Sequence, residues 1–294
     1  MLNDKIKSLF HLHFLIFLWG FTSILGALID LDSLSIVWYR MLIASLLIAL
    51  YFRLFSPQSF KVQPKAMRYF VAGGLMIASH WILFFYAIKI SSISLTLSIL
   101  SSASLMTSIL EPFIYKRPFR RYEFFFGGVV IVGLYLIFGV QNEHIFAIIV
   151  ALVSTLLSVL FSLLNGKLIT KYPAKTISFY QLLSGALFSS VILLFTLDDP
   201  SRLIGLQADD WLWLFLLASV CTAYATIGSV VVLKNITPFT FMISLNLEPI
   251  YAICFSLMIF GEKERMSPQF YLGTAIILFG VIGNTFYKRL RQKK

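Results

Sequence analysis

Charged residues are scarce in this sequence. Aspartate, glutamate, lysine and arginine make up 13% of its 294 residues, and hydrophobic residues make up 59%. A typical soluble domain has roughly 25% charged and about 45–50% apolar residues, whereas the mean hydropathy here is +0.88. A water-soluble core cannot bury such an excess of apolar side chains. The composition therefore excludes an ordinary soluble protein and leaves no stretch for a separate soluble domain.

Cysteines and the motifs of enzymes and ATP-driven pumps are also scarce. Cys221 and Cys254 lie in apolar stretches without C-x-x-C spacing or a nearby histidine pair, so no metal or other cofactor is expected. The sequence has no G-x-x-x-x-G-K-[ST], no H-E-x-x-H and no G-x-S-x-G, which argues against an ATPase and against an intramembrane enzyme. Such an enzyme is the alternative from another class, beside a non-transporting receptor or structural subunit.

Long apolar stretches occupy almost the whole chain. Each is about 20 residues long, which is enough for a helix to cross roughly 30 Å of hydrocarbon. Backbone polar groups in lipid must be paired within the protein, so these spans are predicted to be helices. The predicted spans are residues 9–29, 34–54, 68–89, 92–115, 121–139, 144–165, 175–197, 210–232, 237–260 and 268–287. The predicted fold class is an all-α polytopic membrane protein with ten transmembrane helices.

Basic residues concentrate in alternate connections between the spans. With a cytoplasmic N-terminus, the cytoplasmic segments hold most of the 24 lysines and arginines, while Asp30, Asp32, Asp198 and Asp210 fall on the other side. The positive-inside rule then places both termini in the cytoplasm, and a multi-pass location in the cytoplasmic (inner) membrane is expected. The net charge of +11 therefore indicates membrane orientation, and no nucleic-acid partner is expected.

The two halves of the sequence resemble each other. WYRML at Trp38–Leu42 parallels FYQLL at Phe179–Leu183, IKISSISLTL from Ile88 parallels LKNITPFTFM from Leu233, and Gly127 parallels Gly273, at spacings of 141, 145 and 146 residues. Repeats with an odd number of spans must be inserted in opposite senses. We therefore expect two inverted five-helix repeats, residues 1–141 and residues 142–294.

Several segments together form a recognisable pattern. They are LWGFTSILG in the first span, WYRMLIASLL in the second, SHWILFFYAIKISSISLTLS across the third and fourth, SLNLEPIYAI in the ninth, and GEKE at Gly261–Glu264. With these segments the chain resembles the drug/metabolite transporter superfamily, in its ten-span EamA-like branch. The resemblance implies that spans one to four and six to nine surround a central cavity, with the fifth and tenth outside it. The first half has KRPFRR at Lys116–Arg121 in place of a Gly-Glu turn, which weakens the case for a symmetric gate.

Four ionisable residues inside the predicted spans are candidates for chemistry: Arg40, His80, Glu111 and Glu248. A charge at a helix centre costs roughly 2.5–3.5 kcal/mol on insertion scales, so such residues usually face a cavity or a partner. Arg40 would neutralise Glu248, hold a substrate carboxylate, or extend outward to the interface. Glu111 would join the cavity or extend to the cytoplasmic interface. His80 would relay protons or act as a packing residue.

Proline follows each of the two glutamates, at Pro112 and Pro249. Because proline lacks an N–H, a backbone carbonyl loses its partner and the helix is expected to kink there. A kinked helix beside a carboxylate is a candidate solute or cation site, and the alternative is that both prolines only shape the bundle.

Aromatic and polar side chains near mid-span complete the candidate cavity. Trp19, Trp81 and Tyr224 lie away from the interfacial belt where tryptophan and tyrosine are enriched, so they would line the cavity or pack between helices. Ser101, Ser102 and Asn246 would line it or bond neighbouring helices.

The predicted function is secondary transport by alternating access about a midplane cavity, through export or exchange. The resemblance implies small polar metabolites such as amino acids or nucleosides. The expected partners are a small-molecule substrate, the lipid bilayer and, where transport is coupled, a proton or another ion. No obligatory protein partner is evident.

Overall fold

The computed structural model describes residues 2–55, 62–119, 121–140, 144–196, 203, 205–264 and 266–292, and within these ranges the chain is helical with no strand. The helices are α1 Leu2–Leu28, α2 Ser33–Phe55, α3 Pro64–Ile90, α4 Ile93–Leu100, α5 Ala103–Tyr115, α6 Arg121–Val140, α7 Ile145–Leu168, α8 Ala174–Thr196, α9 Ala208–Ala218, a π-helical turn Ser219–Tyr224, α10 Ala225–Val232, α11 Pro238–Leu245, α12 Glu248–Phe260, a 3₁₀ turn Gly261–Glu264 and α13 Pro268–Gln292.

Every predicted span coincides with a helix or a continuous series of helices. By length and hydropathy, 7 helical segments of the described chain can cross a membrane, and shorter apolar stretches lie at Phe125–Ile137, Ile250–Phe260 and Pro268–Gly280. These three stretches belong to α6, α12 and α13, the fifth, ninth and tenth spans. The fold is therefore an all-α polytopic membrane protein, as predicted. The predicted boundary between residues 141 and 142 lies outside the described residues.

Local sequence signals set several helix ends. The Asp32 carboxylate accepts hydrogen bonds from the backbone of Leu34 and Ser35, and the Ser92 hydroxyl accepts one from Leu95 at the start of α4. Side-chain oxygens at these positions satisfy the free N–H groups of a first turn. Gly261 ends α12 with φ +57°, a left-handed conformation that glycine adopts without steric cost.

Two spans are interrupted at matching positions. The fourth span breaks at Ser101–Ser102, between α4 and α5, and the ninth breaks at Asn246–Leu247, between α11 and α12, which is 145 residues later. The ninth span breaks immediately before its Glu-Pro pair, where Pro249 falls in the first turn of α12. The Glu-Pro pair of the fourth span does not lie at its break, because Pro112 falls inside α5, and the kink expected at Pro112 stays a prediction.

The helix contacts made by one half recur in the other half with the two halves exchanged. The third span packs on α7 and α8, and the eighth span, α9 to α10, packs correspondingly on α1 and α2. α2 packs on α8, and α6 packs on α13, so these two pairs each join matching spans of the two halves. A Cβ added at Gly133 would lie 2.7 Å from the Gly273 carbonyl oxygen. Only glycine allows the α6 and α13 backbones to approach this closely.

Candidate functional site

A cavity lies between the two halves, next to both helix breaks. Its described lining comprises Trp19, Thr22, Arg40, Ile77, His80, Trp81, Phe84, Leu100, Ala103, Ser158, Phe161, Ser162, Asn165, Thr226, Ser229, Leu233, Phe241, Met242, Leu245 and Glu248. None of these residues belongs to α6 or α13. The cavity volume is about 100 Å³, and one water needs roughly 10–15 Å³ on the same scale. The space therefore suits a small solute or several waters.

The two broken spans contribute matching residues to this wall. Leu100 and Ala103 flank the break of the fourth span, and Leu245 and Glu248 flank the break of the ninth at positions 145 residues later. All four line the cavity. The duplicated backbone therefore presents the same two positions from each half, but only the second half places a charge there.

Arg40 is a fully buried cation on the cavity wall, with 0% of its surface exposed. Its Nε donates to the Thr222 hydroxyl at 3.0 Å, and its guanidinium carbon lies 3.8 Å from the centroid of the Trp81 ring. A cation over an indole face is attracted by the ring quadrupole. Trp81 therefore holds the guanidinium inside the protein without using its N–H donors.

Glu248 begins α12 at the edge of the cavity and is 8% exposed. A carboxylate in the first turn interacts favourably with the positive end of the helix dipole, which partly offsets its burial. Among the described residues, no ion pair within 4.0 Å joins Glu248 to Arg40. The cavity wall therefore carries one basic and one acidic side chain that are not in direct contact with each other.

His80 is held in one orientation by Ser154 of α7. Its Nδ1 lies 2.9 Å from the Ser154 carbonyl oxygen and 2.8 Å from the Ser154 hydroxyl, which in turn donates to the His80 carbonyl. A carbonyl oxygen can only accept, so Nδ1 carries a proton. In the neutral ring, Nε2 is then an acceptor, and it has no hydrogen-bond partner among the described residues.

Five of the ten candidate residues from the sequence lie on the cavity wall: Trp19, Arg40, His80, Trp81 and Glu248. Trp19 also packs edge-on against Phe241, with the ring centroids 6.1 Å apart. The five come from α1, α2, α3 and α12, so the structure brings together residues that are far apart in the sequence.

The polar residues at the helix breaks are buried behind the wall. Ser101 donates to the Leu97 carbonyl, and the Asn246 amide donates to the Met242 carbonyl. Each bond returns to the helix that precedes the break. Ser102 is 1% exposed. None of the three is in the described lining of the cavity, and the polar groups of Ser101 and Asn246 bond the backbone of the interrupted spans.

Glu111 and Tyr224 are not in the described lining of the cavity, unlike the five candidates above. Glu111 is in the last turns of α5, about 12 Å along the helix from Ala103 at 1.5 Å per residue, and it forms an ion pair with Arg117 at 3.6 Å. Tyr224 is 45% exposed and bonds His11 Nε2 at 2.9 Å. It ends the π-helical turn, whose wider spacing breaks the register of a regular α-helix.

Sequence reasoning missed the small polar residues of the wall. Thr22, Ser158, Ser162, Asn165, Thr226 and Ser229 line the cavity. Their only signal is polarity within apolar spans, which is also typical of residues that bond neighbouring helices. Asn165 illustrates this ambiguity, because its side chain lines the cavity and also accepts a hydrogen bond from Gln181 at 2.7 Å.

Comparison with known proteins agrees with this architecture. The family model described as "EamA-like transporter family" matches the chain twice, over residues 8–139 and 145–286. A solved structure described as "Crystal structure of protein" aligns with 94% of this chain and 96% of its own, with a TM-score of 0.70 and 12% identity. At this identity the likeness concerns the fold alone. No curated protein matches the sequence. The two family matches together cover most of the chain, which belongs to the EamA-like transporter family and is a membrane transporter of the drug/metabolite transporter type.

Proposed function

We propose that this protein is a secondary carrier of small polar metabolites, amino-acid-like or related solutes, and that it works by alternating access about the central cavity. The observation that carries the proposal is that Arg40 and Glu248 line one cavity between the two halves without a direct ion pair between them. Burying two charges is costly unless each is compensated. A polar solute that contacts both would supply this compensation while it is bound.

The position of the cavity supports alternating access from the two sides of the membrane. Its wall includes Asn165 in the last turn of α7, Leu233 directly after α10 and Phe241 in the first turn of α11. These helix ends lie near the start of α1, where Asn235 donates to Ser8 at 2.9 Å. The cavity therefore extends toward the end that the positive-inside rule assigns to the cytoplasm.

Contacts between the halves lie toward the opposite end. Tyr39 donates to the Leu203 carbonyl at 2.7 Å, and the Asp30 N–H donates to the Asp210 carboxylate at 3.0 Å. Phe21 stacks on Phe255 with ring centroids 4.4 Å apart. A cavity nearer the cytoplasm, with such contacts between the halves on the far side, would accept a cytoplasmic solute, which supports export or exchange.

Glu248 is the proposed charge centre of transport. Its place at the start of a half-helix beside the cavity resembles the ion and substrate sites of carriers with interrupted helices. The carboxylate would bind a cationic group of the substrate or carry a coupled proton.

Uptake into liposomes that contain the purified protein tests the proposed function. The panel comprises labelled amino acids, nucleosides, amines and organic anions, and empty liposomes are the control. We expect saturable uptake of at least one class that is accelerated when the same unlabelled solute is preloaded. Binding without uptake would indicate a receptor, and chemical conversion of a solute would indicate an enzyme. Absence of uptake for the whole panel, with the protein folded and oriented, would contradict the proposal.

A further inference from the structure

Two nitrogens of the Arg40 guanidinium have no hydrogen-bond acceptor among the described residues. Nη1 and Nη2 are buried and have no hydrogen-bond partner among the described residues, although Arg40 lines the cavity. An arginine carries five N–H donors, and Nε accounts for only one of them. A buried cation with unpaired donors is costly. The four hydrogens on Nη1 and Nη2 are therefore left without an acceptor in the described part of the chain.

Thr222 fixes the other edge of the guanidinium. Its hydroxyl proton goes to the Leu217 carbonyl at 2.6 Å, so its oxygen lone pairs are left to accept from Arg40 Nε. Thr222 lies in the π-helical turn that packs on α2. Such turns are rare and occur frequently at functional sites. A threonine there meets Arg40 as an acceptor, and no described residue accepts from the terminal nitrogens.

We infer that Nη1 and Nη2 of Arg40 form a subsite for the carboxylate of the substrate, and that Thr222 is the positioning residue of this subsite. The inference rests on the proposed function and names the substrate class. A planar guanidinium fork matches a carboxylate through two parallel N–H···O bonds. Thr222 holds the Nε edge and Trp81 holds the face, so the fork is oriented before the substrate arrives.

The basic and acidic side chains of the cavity wall discriminate between carboxylate and phosphate ligands. Arg40 and Glu248 carry the two formal charges of the described lining, one positive and one negative. A solute with one carboxylate and one ammonium group matches both, because each of its charges meets the opposite sign. A phosphate ester brings further negative charge toward Glu248, and like charges in a buried site are strongly disfavoured. The subsite therefore favours amino acids over phosphorylated metabolites.

The first experiment compares matched solutes in the same liposomes. Uptake of twenty labelled L-amino acids is measured, and the best of them is compared with its amide and its decarboxylated amine. We expect the amide and the amine to be transported at least about tenfold less efficiently, since each lacks the carboxylate. Inorganic phosphate should compete poorly. Equal transport of acid and amide, stronger competition by phosphate, or uptake confined to solutes without a carboxylate would overturn the inference while the proposed function stands.

The second experiment tests the positioning role. Thr222→Val keeps the shape and removes the acceptor, so KM for the amino acid should rise about tenfold, equivalent to about 1.4 kcal/mol, with little change in kcat. KM for the decarboxylated amine should be unchanged. Thr222→Ser restores the hydroxyl and should return KM close to that of the wild type.

The matched control is Thr155→Val, which removes another buried hydroxyl. Thr155 donates to the Ala151 carbonyl of its own helix and does not line the cavity, so KM should not change. If Thr222→Val raises KM equally for acid and amine, or if Thr222→Ser fails to restore KM in a folded protein, Thr222 has only a structural role.

Discussion

The two broken spans share a backbone but differ in chemistry. α4 and α5 separate at Ser101–Ser102, and α11 and α12 separate at the position 145 residues later. The residue that begins the second half-helix faces the cavity in both cases, yet it is Ala103 in one span and Glu248 in the other. The free positive end of α5 therefore meets the cavity directly, whereas that of α12 begins at its own carboxylate.

The position of Arg40 differs between the halves in the opposite sense, because here the first half carries the charge. Arg40 belongs to the first half, and the residue that matches it in the aligned segments WYRML and FYQLL is Gln181. Gln181 is also fully buried, but its amide donates to Asn165. Each half therefore contributes one charge, and the matching position of the other half is neutral. Duplication can account for the shape of the cavity, while single substitutions account for which half carries each charged residue.

The ends of the broken spans provide the sharpest contrast. If the repeats are inverted, α5 and α12 must end on opposite sides of the membrane. We expect Pro118→Cys to react with a membrane-impermeant maleimide only after permeabilisation, and Glu262→Cys to react in intact cells. Cys254 is the exposed native cysteine of the described chain, so Cys254→Ala is the background. Labelling of both sites from the same side would refute the inverted orientation.

Loss of the Glu248 charge should be the most damaging change to transport. Glu248→Gln keeps the shape but removes the charge that would pair with the cationic group of the bound substrate. Loss of one partner of such a buried charge pair typically costs about 2–5 kcal/mol, so uptake should fall about a hundredfold. Expression and stability in detergent should change little. Glu111→Gln is the comparison, since this glutamate also precedes proline but lies outside the cavity, and its effect should be far smaller. A Glu248→Gln variant with the wild-type rate would show that the carboxylate is structural at most.

A second carboxylate at the matching position should inhibit less. Ala103→Glu would place a charge at the start of α5, where the helix dipole favours it, but the cavity would then hold two negative charges against Arg40. We expect uptake of a zwitterionic amino acid to fall about tenfold. Ala103→Gln adds a similar volume without the charge and separates crowding from electrostatics. If both variants lose the same activity, the effect is steric.

Polar residues at the two breaks should have the smallest effects, and these should be alike. Ser101→Ala and Asn246→Ala each remove a bond to the preceding helix. A single hydrogen bond contributes roughly 0.5–1.5 kcal/mol, so thermal stability should decrease slightly and KM should not change. A large KM effect in either variant would assign that residue to the binding site.

Rare residue types explain how far the site could be predicted. Arg40, His80 and Glu248 stand out because ionisable residues are uncommon inside spans, and Trp19 and Trp81 stand out because they lie away from the interfaces. The same reasoning selected Glu111 and Tyr224, which are not in the described lining of the cavity. Residue type indicates that a side chain is unusual in a span, but it does not indicate the direction in which the side chain points.

The sequence by itself determined the helical membrane fold, the number and approximate limits of the spans, and the pairing of matching segments. These properties follow from the length of apolar stretches and from internal similarity, which are local or repeated features. The tertiary structure alone decided which side chains share the cavity. In a membrane helix the lipid-facing and interior surfaces are both apolar, so hydrophobic periodicity does not distinguish them. The bond from Arg40 to Thr222 joins residues 182 positions apart, and only packing of the two halves brings them together.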